Sequence, residues 1–101
     1  MPVFEVLAEA HRRRILELLR AHERPVGDLV AELRLSQPAV SKHLRVLREA
    51  GLVRVRADAQ RRLYQLEPEP LRALDEWLAP YRRMWAGRLD DLERHLDTKE
   101  E

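Results

Sequence analysis

Residues 35–53 read LSQPAVSKHLRVLREAGLV and contain signals for both ends of one helix. Ser36 is a favourable N-cap residue, and Pro38 suits the first helical turn, where a missing N–H leaves no hydrogen bond unmade. Gly51 favours a stop at the other end. The stretch therefore predicts a helix at about 36–50.

The two faces of this helix differ in polarity. Val40, Leu44 and Leu47 are spaced by four and three residues, so they share one face and point toward a core. Another face carries Pro38, Ser41, Lys42 and Arg45. We expect this face to be exposed to solvent because it is mostly polar. Such a helix can pack against a core and still present positive charge to a partner.

Positive charge is concentrated around this helix. The whole chain has 19 Lys and Arg against 18 Asp and Glu, a net charge of +1. The net charge is −1 over residues 1–33, +6 over residues 34–62 and −4 over residues 63–101. A solvated helix face explains only part of this, because the basic residues continue to Arg62. A local basic field on a near-neutral protein suits a polyanionic partner.

Length and composition restrict the class of protein. At 101 residues, 45% of them hydrophobic, the chain is about one domain long and can bury one modest core. It has no cysteine, which excludes disulfides and cysteine nucleophiles and is typical of a reducing cytoplasm. The N-terminal MPVFEVLAEAHRRR has no signal-peptide pattern, and no run approaches membrane-spanning length. We expect a single-domain cytoplasmic protein.

The sequence offers no catalytic arrangement. The only serines are Ser36 and Ser41, and the only threonine is Thr98. His43 is two residues from Ser41 on one helix, so the two side chains point in different directions. Because a hydrolase needs a nucleophile that is oriented by a base, the chain is not expected to be an enzyme.

Apolar periodicity predicts three helical segments before residue 35. Residues 3–9 form a short amphipathic turn or two, and residues 11–21 form a helix. Pro25 breaks this helix, and a short helix follows at about 27–33. The inward-facing residues of the second segment are Ile15, Leu16, Leu18 and Leu19.

After Gly51 the apolar period changes from about 3.6 residues to about 2. Valines alternate with arginines at residues 53–56, and a similar alternation surrounds Leu63. We therefore predict a β-hairpin at 52–66. The connecting residues 57–61 contain no glycine, so no two-residue primed turn is indicated, and a longer, mobile tip is expected.

The last forty residues carry a near-heptad apolar stripe on a helix expected at about 68–97. The stripe consists of Leu71, Leu74, Leu78, Tyr81, Trp85, Leu89, Leu92 and Leu96. Pro80 lies within it, where a proline costs about 3 kcal/mol and clashes with the carbonyl four residues back. Either the helix kinks there with the stripe in register, or it stops near Leu78 and restarts. The unbroken register favours the kink.

The length of the stripe indicates a second copy of the chain. An apolar seam of about thirty residues exceeds what one small domain can cover. Apolar residues near the N-terminus are expected to pack beside it. The predicted dimer interface comprises Val3, Phe4, Leu7, Leu74, Leu78, Tyr81, Trp85, Leu89 and Leu92.

The predicted elements are, in order, a helix, a short turn, a capped helix and a basic hairpin. This order is typical of a winged helix-turn-helix. Four blocks resemble the ArsR-type bacterial repressors: AHRRRILELL at 10–19, PVGDLVAELRLSQPAVSKHLRVLREAGLV at 25–53, RRLYQL at 61–66 and WLAPYRRMWAGRLDDLERHL at 77–96. The second block is the most specific. The resemblance covers nearly the whole chain and implies a mainly α fold with a small β-hairpin and a homodimeric DNA-binding repressor.

The resemblance also implies where DNA is contacted. The helix from Ser36 would read the major groove, the hairpin 52–66 would be the wing, and the terminal helices would form the dimer. Gln37 and Ser41 can hydrogen-bond base edges, whereas basic side chains can read guanine or hold phosphates. Ser36 is expected to cap the helix rather than read sequence. The predicted DNA-binding residues are Ser36, Gln37, Pro38, Ser41, Lys42, His43, Arg45, Arg56, Arg61 and Arg62.

Position 34 departs from the pattern of the family, whose turn usually has glycine there. Either Arg34 adopts a left-handed conformation at a cost of about 1 kcal/mol, or the turn differs. Arg34 could also contact a phosphate.

The metal ligands of the family's founding members are missing from the sequence. Those members use a cysteine pair near the recognition helix, or Asp, His and Glu on the last helix. Here only His95 lies on the last helix, with Asp91 four residues before it, a spacing typical of a surface ion pair. His11 and His22 are expected to face solvent or to cap a helix, and His43 to bond either a neighbouring helix or a phosphate. We predict no metal and no cofactor, as in the family's metal-independent branch.

The main interpretation is a homodimeric repressor that binds a short inverted repeat of double-stranded DNA in the bacterial cytoplasm, associated with the nucleoid. The alternative is a winged-helix protein-interaction module that does not bind DNA. The concentrated basic face disfavours this alternative, because such a module does not need one.

Overall fold

The computed structural model describes the backbone of residues 2–100 and the side chains of residues 3–96. It is mainly helical, with one antiparallel sheet, as the sequence predicts. The elements in chain order are α1 (Pro2–Leu7), α2 (Ala10–Ala21), β1 (Arg24–Pro25), α3 (Val26–Leu33), α4 (Gln37–Glu49), β2 (Val53–Asp58), β3 (Arg61–Leu66) and α5 (Leu71–Glu100). None of the described helices is long and apolar enough to cross a membrane.

The start of α4 is fixed by the side chain of Ser36. Its Oγ accepts a hydrogen bond from the backbone N–H of Ala39 at 3.2 Å, and its backbone is extended, as an N-cap requires. Pro38 lies in the first turn. The predicted capping role of Ser36 is confirmed.

The end of α4 is a Schellman motif. Gly51 has φ 76°, and its N–H donates to the carbonyl of Arg48 at 2.9 Å. The N–H of Leu52 donates to the carbonyl of Leu47 at 3.0 Å. These two bonds satisfy carbonyls that the helix end leaves free, and the positive φ explains why glycine stands at this position.

The core lies between α2, α3, α4 and the sheet. All the residues that the helical periodicity predicted to point inward from α2 and α4 are buried. The six largest fully buried side chains are Ile15, Leu29, Leu44, Leu47, Leu52 and Val40. Val3, which was predicted to lie in the dimer interface, is 5% exposed and packs with the core of the protomer.

The turn between α3 and α4 is made by Arg34 in a left-handed conformation, with φ 56° and ψ 38°. Its N–H donates to the carbonyl of Val30 at 2.9 Å. The sequence left open whether Arg34 adopts a left-handed conformation or the turn differs. The structure has the left-handed conformation, which costs about 1 kcal/mol for a residue other than glycine.

The sheet has three strands in the order β1-β3-β2, all antiparallel. The two-residue strand β1 was not predicted, because Pro25 was interpreted only as a helix breaker. In the hairpin, Asp58 pairs with Arg61, so only Ala59 and Gln60 connect the strands. The expected longer loop is therefore wrong: Ala59 takes a positive φ of 55° and closes a tight turn without glycine.

The last helix, α5, continues through Pro80 without interruption, so a stop and restart there is wrong. Near its start, Trp77 stacks edge-on against Phe4 of α1 at a ring-centroid distance of 5.6 Å. Trp77 and Tyr81 are 4.8 Å apart. Beyond this point α5 projects from the body of the protomer, whose extents are 66 × 26 × 22 Å.

Candidate nucleic-acid interface

The outer face of α4 is presented by the packing behind it. Val40, Leu44 and Leu47 are essentially inaccessible to solvent, which fixes the rotation of the helix about its own axis. The opposite side chains are exposed and line a shallow depression formed by Pro38, Ser41, Lys42 and Arg45. Gln37, in the first turn, is exposed as well.

The basic side chains of α4 are available to a partner. Lys42, Arg45 and Arg48, called the helix cations below, are all exposed. Within the part of the chain that the structure describes, none of these three side chains makes a hydrogen bond or an ion pair. Their positive charge is therefore not neutralised by a neighbouring carboxylate.

The arginines of the hairpin are arranged differently. Arg54 lies 3.6 Å from Glu67, and Arg61 lies 3.2 Å from Asp58. Arg56 donates through Nε to Glu23 at 2.8 Å and through Nη2 to the second oxygen of the same carboxylate. We call Arg54, Arg56 and Arg61 the paired wing arginines.

Glu23 is the centre of the strongest of these contacts. It also accepts a hydrogen bond from the side-chain amide of Gln65 on β3. The hydrogen bonds from Arg56 and Gln65 lower the pKa of Glu23 to about 2, and the hydrogen bond to Glu23 raises the pKa of Arg56. Sequence reasoning missed this cluster, because Glu23 and Arg56 are 33 residues apart and no local pattern connects them.

Arg62 is the exception on the wing. It is exposed, and the described residues include no hydrogen-bond or ion-pair partner for it. The structure thus divides the predicted DNA-binding arginines of the hairpin into one free and two paired side chains.

His43 faces the start of α2 rather than the outer face of α4. Its side chain is 18% exposed, and its Nδ1 is buried without a hydrogen-bond partner. Nδ1 lies 3.9 Å from Oε2 of Glu9. Burial lowers the pKa of His43, and the nearby carboxylate of Glu9 offsets this only in part.

Glu9 and His11 complete a small polar cluster beside His43. Glu9 is the N-cap residue of α2 and accepts a hydrogen bond from the N–H of Arg12 at 3.1 Å. His11 Nδ1 lies 3.2 Å from Glu9 Oε1, and the rings of His11 and His43 are 5.7 Å apart. No local sequence pattern connects these residues, because the third member is more than thirty positions away.

The other two histidines lie elsewhere on the surface. His22 is exposed, and its Nδ1 is 2.9 Å from the carbonyl of Glu23. On α5, Asp91 pairs with Arg94. The contacts of the described residues do not include a pair of Asp91 with His95, although the spacing of these two residues is typical of one.

The predicted dimer residues fall into three groups. Val3 is buried in the core, as described above. Phe4, Leu7, Leu74 and Leu78 are half-buried where α1 and α5 meet. The exposed group continues along α5 with Tyr81, Trp85, Leu89, Leu92 and, beyond the predicted set, Met84 and Leu96.

The structure has two packed helices, α3 and α4, that are joined by a tight turn. The second of them is capped and has a free polar face, and an antiparallel hairpin lies beside it. These features define a winged helix-turn-helix protein. The family profile described as "Bacterial regulatory protein, arsR family" matches residues 10–55. The chain belongs to this family. It is a family of transcriptional regulators, which confirms the expectation that the protein is not an enzyme.

Relatives of known sequence and structure agree with this assignment. The chain is 40% identical over 96 residues to the HTH-type transcriptional regulator Rv2034 of Mycobacterium tuberculosis, covering 95% of this chain and 87% of that protein. It is 40% identical over 76 residues to the transcriptional activator HlyU of Vibrio cholerae, covering 75% and 70%. The crystal structure of a possible transcriptional regulator for arsenical resistance superposes with a TM-score of 0.67 at 44% identity, covering 82% of this chain and 92% of that one.

Proposed function

We propose that this regulator is a homodimeric repressor that binds an inverted-repeat operator, with one α4 helix entering the major groove in each half-site. The observation that carries the proposal is the free outer face of α4, where the exposed cations Lys42 and Arg45 lie beside Ser41 and where Gln37 is also exposed. Cations without a partner can neutralise phosphates, and polar side chains can bond base edges.

The predicted DNA-binding residues differ in their roles in this proposal. Gln37 and Ser41 read bases, while Lys42 and Arg45 hold phosphates or read guanine. Arg62 contacts the backbone from the wing, and Arg56 and Arg61 can do so only after leaving their carboxylate partners. Ser36 and Pro38 set the start of the helix, and His43 lies behind the reading face.

The dimer is supported by the exposed part of α5. Tyr81, Trp85 and Leu89 are 41%, 53% and 62% exposed in the protomer, on a helix that projects away from the core. Large apolar side chains in one continuous stripe are unfavourable in water, and a second copy covers them with the same stripe. Two α4 helices related by this symmetry would reach half-sites centred about 34 to 36 Å apart, or near one helical turn.

Operator binding in this proposal requires no metal at the positions used by the family's founding members. The chain has no cysteine for the first of those sites. His95 is the one histidine that the second could use, and its neighbour Asp91 is paired with an arginine.

The test begins by selecting bound sequences from random DNA with the purified protein and no added metal. The selected operator should be an inverted repeat, and the protein should bind it more tightly than a scrambled duplex. A promoter carrying this operator should lose transcription when the protein is added. Increased transcription would contradict the repressor and place this chain with activators such as its Vibrio relative. No preference for any sequence would contradict operator binding itself.

The dimer is tested separately by sedimentation of Trp85→Asp. Trp85 is more than half exposed in the protomer, so the substitution leaves the core intact but puts a charge in the seam. The variant should sediment as a folded monomer, whereas Arg83→Asp, which places the same carboxylate off the stripe, should remain a dimer. A monomeric wild type at micromolar concentration would contradict the two-half-site arrangement.

A further inference from the structure

The cluster of Glu9, His11 and His43 has the composition of a metal site. One side-chain ligand atom from each residue lies within 4.8 Å of the other two. Two imidazole nitrogens and one carboxylate oxygen are donors that bind Zn²⁺ and similar divalent transition metals. The three residues come from two elements, since Glu9 and His11 lie at the start of α2 and His43 lies on α4.

The strongest observation is the Nδ1 atom of His43. It is buried, it makes no hydrogen bond, and it points toward Glu9 across 3.9 Å, too far for a direct hydrogen bond. A buried polar atom without a partner is unfavourable, so native structures nearly always satisfy it. A metal ion between Glu9 and His43 would provide the missing partner.

We propose that Glu9, His11 and His43 bind one divalent transition-metal ion, with Zn²⁺ as the reference ion, and that this ion joins the start of α2 to the inner side of α4. Three protein ligands leave a fourth, tetrahedral position for water. The site differs from the cysteine pair and the last-helix ligands of the family's founding members. It lies behind the outer face of α4, so it would stabilise the position of α4 without using any of the side chains assigned to operator contacts.

The simpler alternative is that the three side chains only cap α2 and pair weakly with one another. Glu9 does cap α2, and His11 is close enough to hydrogen-bond it. This alternative accounts for two of the three residues, but it leaves His43 Nδ1 unsatisfied. The two explanations differ in whether the cluster holds an ion, which can be measured without DNA.

The test uses the full-length, tag-free protein after removal of metals with a chelator. Zn²⁺ affinity is measured by competition with a chromophoric indicator, and Co²⁺ absorption reports whether the site is tetrahedral. The wild type should bind one ion per chain. His11→Ala and Glu9→Gln should each lower the affinity by about tenfold or more, because each removes a ligand or its charge.

These two variants are chosen because neither should unfold the protein. The side chain of His11 is 47% exposed, and glutamine at position 9 keeps an oxygen that can accept from the N–H of Arg12. His22→Ala and His95→Ala are matched controls that remove a histidine elsewhere, and both should bind Zn²⁺ as the wild type does. At one fixed zinc concentration, the increase in Tm should be the same in the wild type and both controls and smaller in His11→Ala.

Three results would overturn the proposal. The first is a wild type that binds no Zn²⁺ at equimolar concentration. The second is unchanged affinity in both His11→Ala and Glu9→Gln. The third is loss of binding in His95→Ala, which would place the ion on α5.

Discussion

The basic segment 34–62 contains two groups of cations that look alike in the sequence but differ in the folded protein. The helix cations Lys42, Arg45 and Arg48 have no partner among the described residues, whereas the paired wing arginines each face a carboxylate. A net charge of +6 over this segment is therefore an upper limit on what DNA would encounter. Most of the available charge belongs to α4.

The difference has a physical consequence for binding. A free cation gains a phosphate at the cost of its hydration alone, but a paired arginine must also give up its carboxylate. Exposed ion pairs are weak, so this exchange is possible, but it reduces the net gain. We expect α4 to supply both sequence reading and most of the salt dependence, and the wing to contribute mainly through Arg62.

The largest effect should come from removing a base contact on the helix. Gln37→Ala should weaken operator binding by about 1 to 3 kcal/mol and change binding to scrambled DNA little, because base contacts carry the discrimination. Gln60→Ala is the matched change at the exposed wing tip and should leave both affinities nearly unchanged. Equal losses on the two duplexes for Gln37→Ala would show that Gln37 does not read sequence.

The second prediction compares one helix cation, Arg45, with one paired wing arginine, Arg56. Arg45→Ala should weaken binding to operator and scrambled DNA alike by about tenfold, or about 1.4 kcal/mol. It should also flatten the salt slope by roughly one unit for each phosphate that is no longer neutralised, which is about two units per dimer. Arg56→Ala should do less on both measures, because Arg56 is held by Glu23. Affinities measured at several salt concentrations test this, and equal slopes for the two variants would refute the division into free and paired cations.

The features that could be predicted from sequence are those set by neighbouring residues. The ends of α4 follow from Ser36 and Gly51, and its buried face follows from apolar spacing. The period change after residue 51 located the hairpin. These are local signals, because a cap, a helical face and a strand alternation each span only a few residues.

The features that could not be predicted depend on contacts between distant residues. The partner of Arg56 lies 33 positions away and is one of 18 acidic residues in the chain. The cluster around His43 arises only when α4 packs on α2. Strand β1 is two residues long, too short to show a period, and exists because β3 offers it an edge.

The two backbone turns that flank β2 give the third prediction. Gly51, at the end of α4, and Ala59, at the wing tip, both have positive φ. Gly51→Ala should destabilise the fold by about 1 kcal/mol, from its backbone conformation alone. A Cβ at position 51 would meet Pro70 at 3.6 Å, an ordinary contact.

Ala59→Gly should stabilise the fold by less than about 1 kcal/mol, because glycine relieves the strain of the positive φ but adds entropy to the unfolded chain. Urea unfolding of both variants measures the change in the free energy of unfolding. A change of the same sign in both variants would contradict the assigned turns.

The smallest effect comes from releasing a paired arginine. Glu23→Gln removes the charge that holds Arg56, and the freed guanidinium can then reach a phosphate. Affinity for all duplexes should rise slightly, and the salt slope should become steeper, by at most about two units per dimer. Glu23→Gln combined with Arg56→Ala should lose this gain. An unchanged slope in Glu23→Gln would mean that Arg56 stays away from DNA even when free.

The same substitution has a pH signature that is independent of DNA. The pKa of Glu23 is about 2 in the folded protein and about 4.5 when unfolded, so its ion pair contributes stability above pH 4.5 and loses it as the pH falls toward 2. Wild type should have a higher Tm than Glu23→Gln at pH 6, and the gap should shrink as the pH is lowered from 4.5 toward 2. Glu67→Gln, which removes the partner of Arg54 at 3.6 Å, is the control and should show a smaller gap. A gap for Glu23→Gln that is constant with pH would mean that the carboxylate of Glu23 does not hold the wing, and Arg56 would then belong with the free cations of α4.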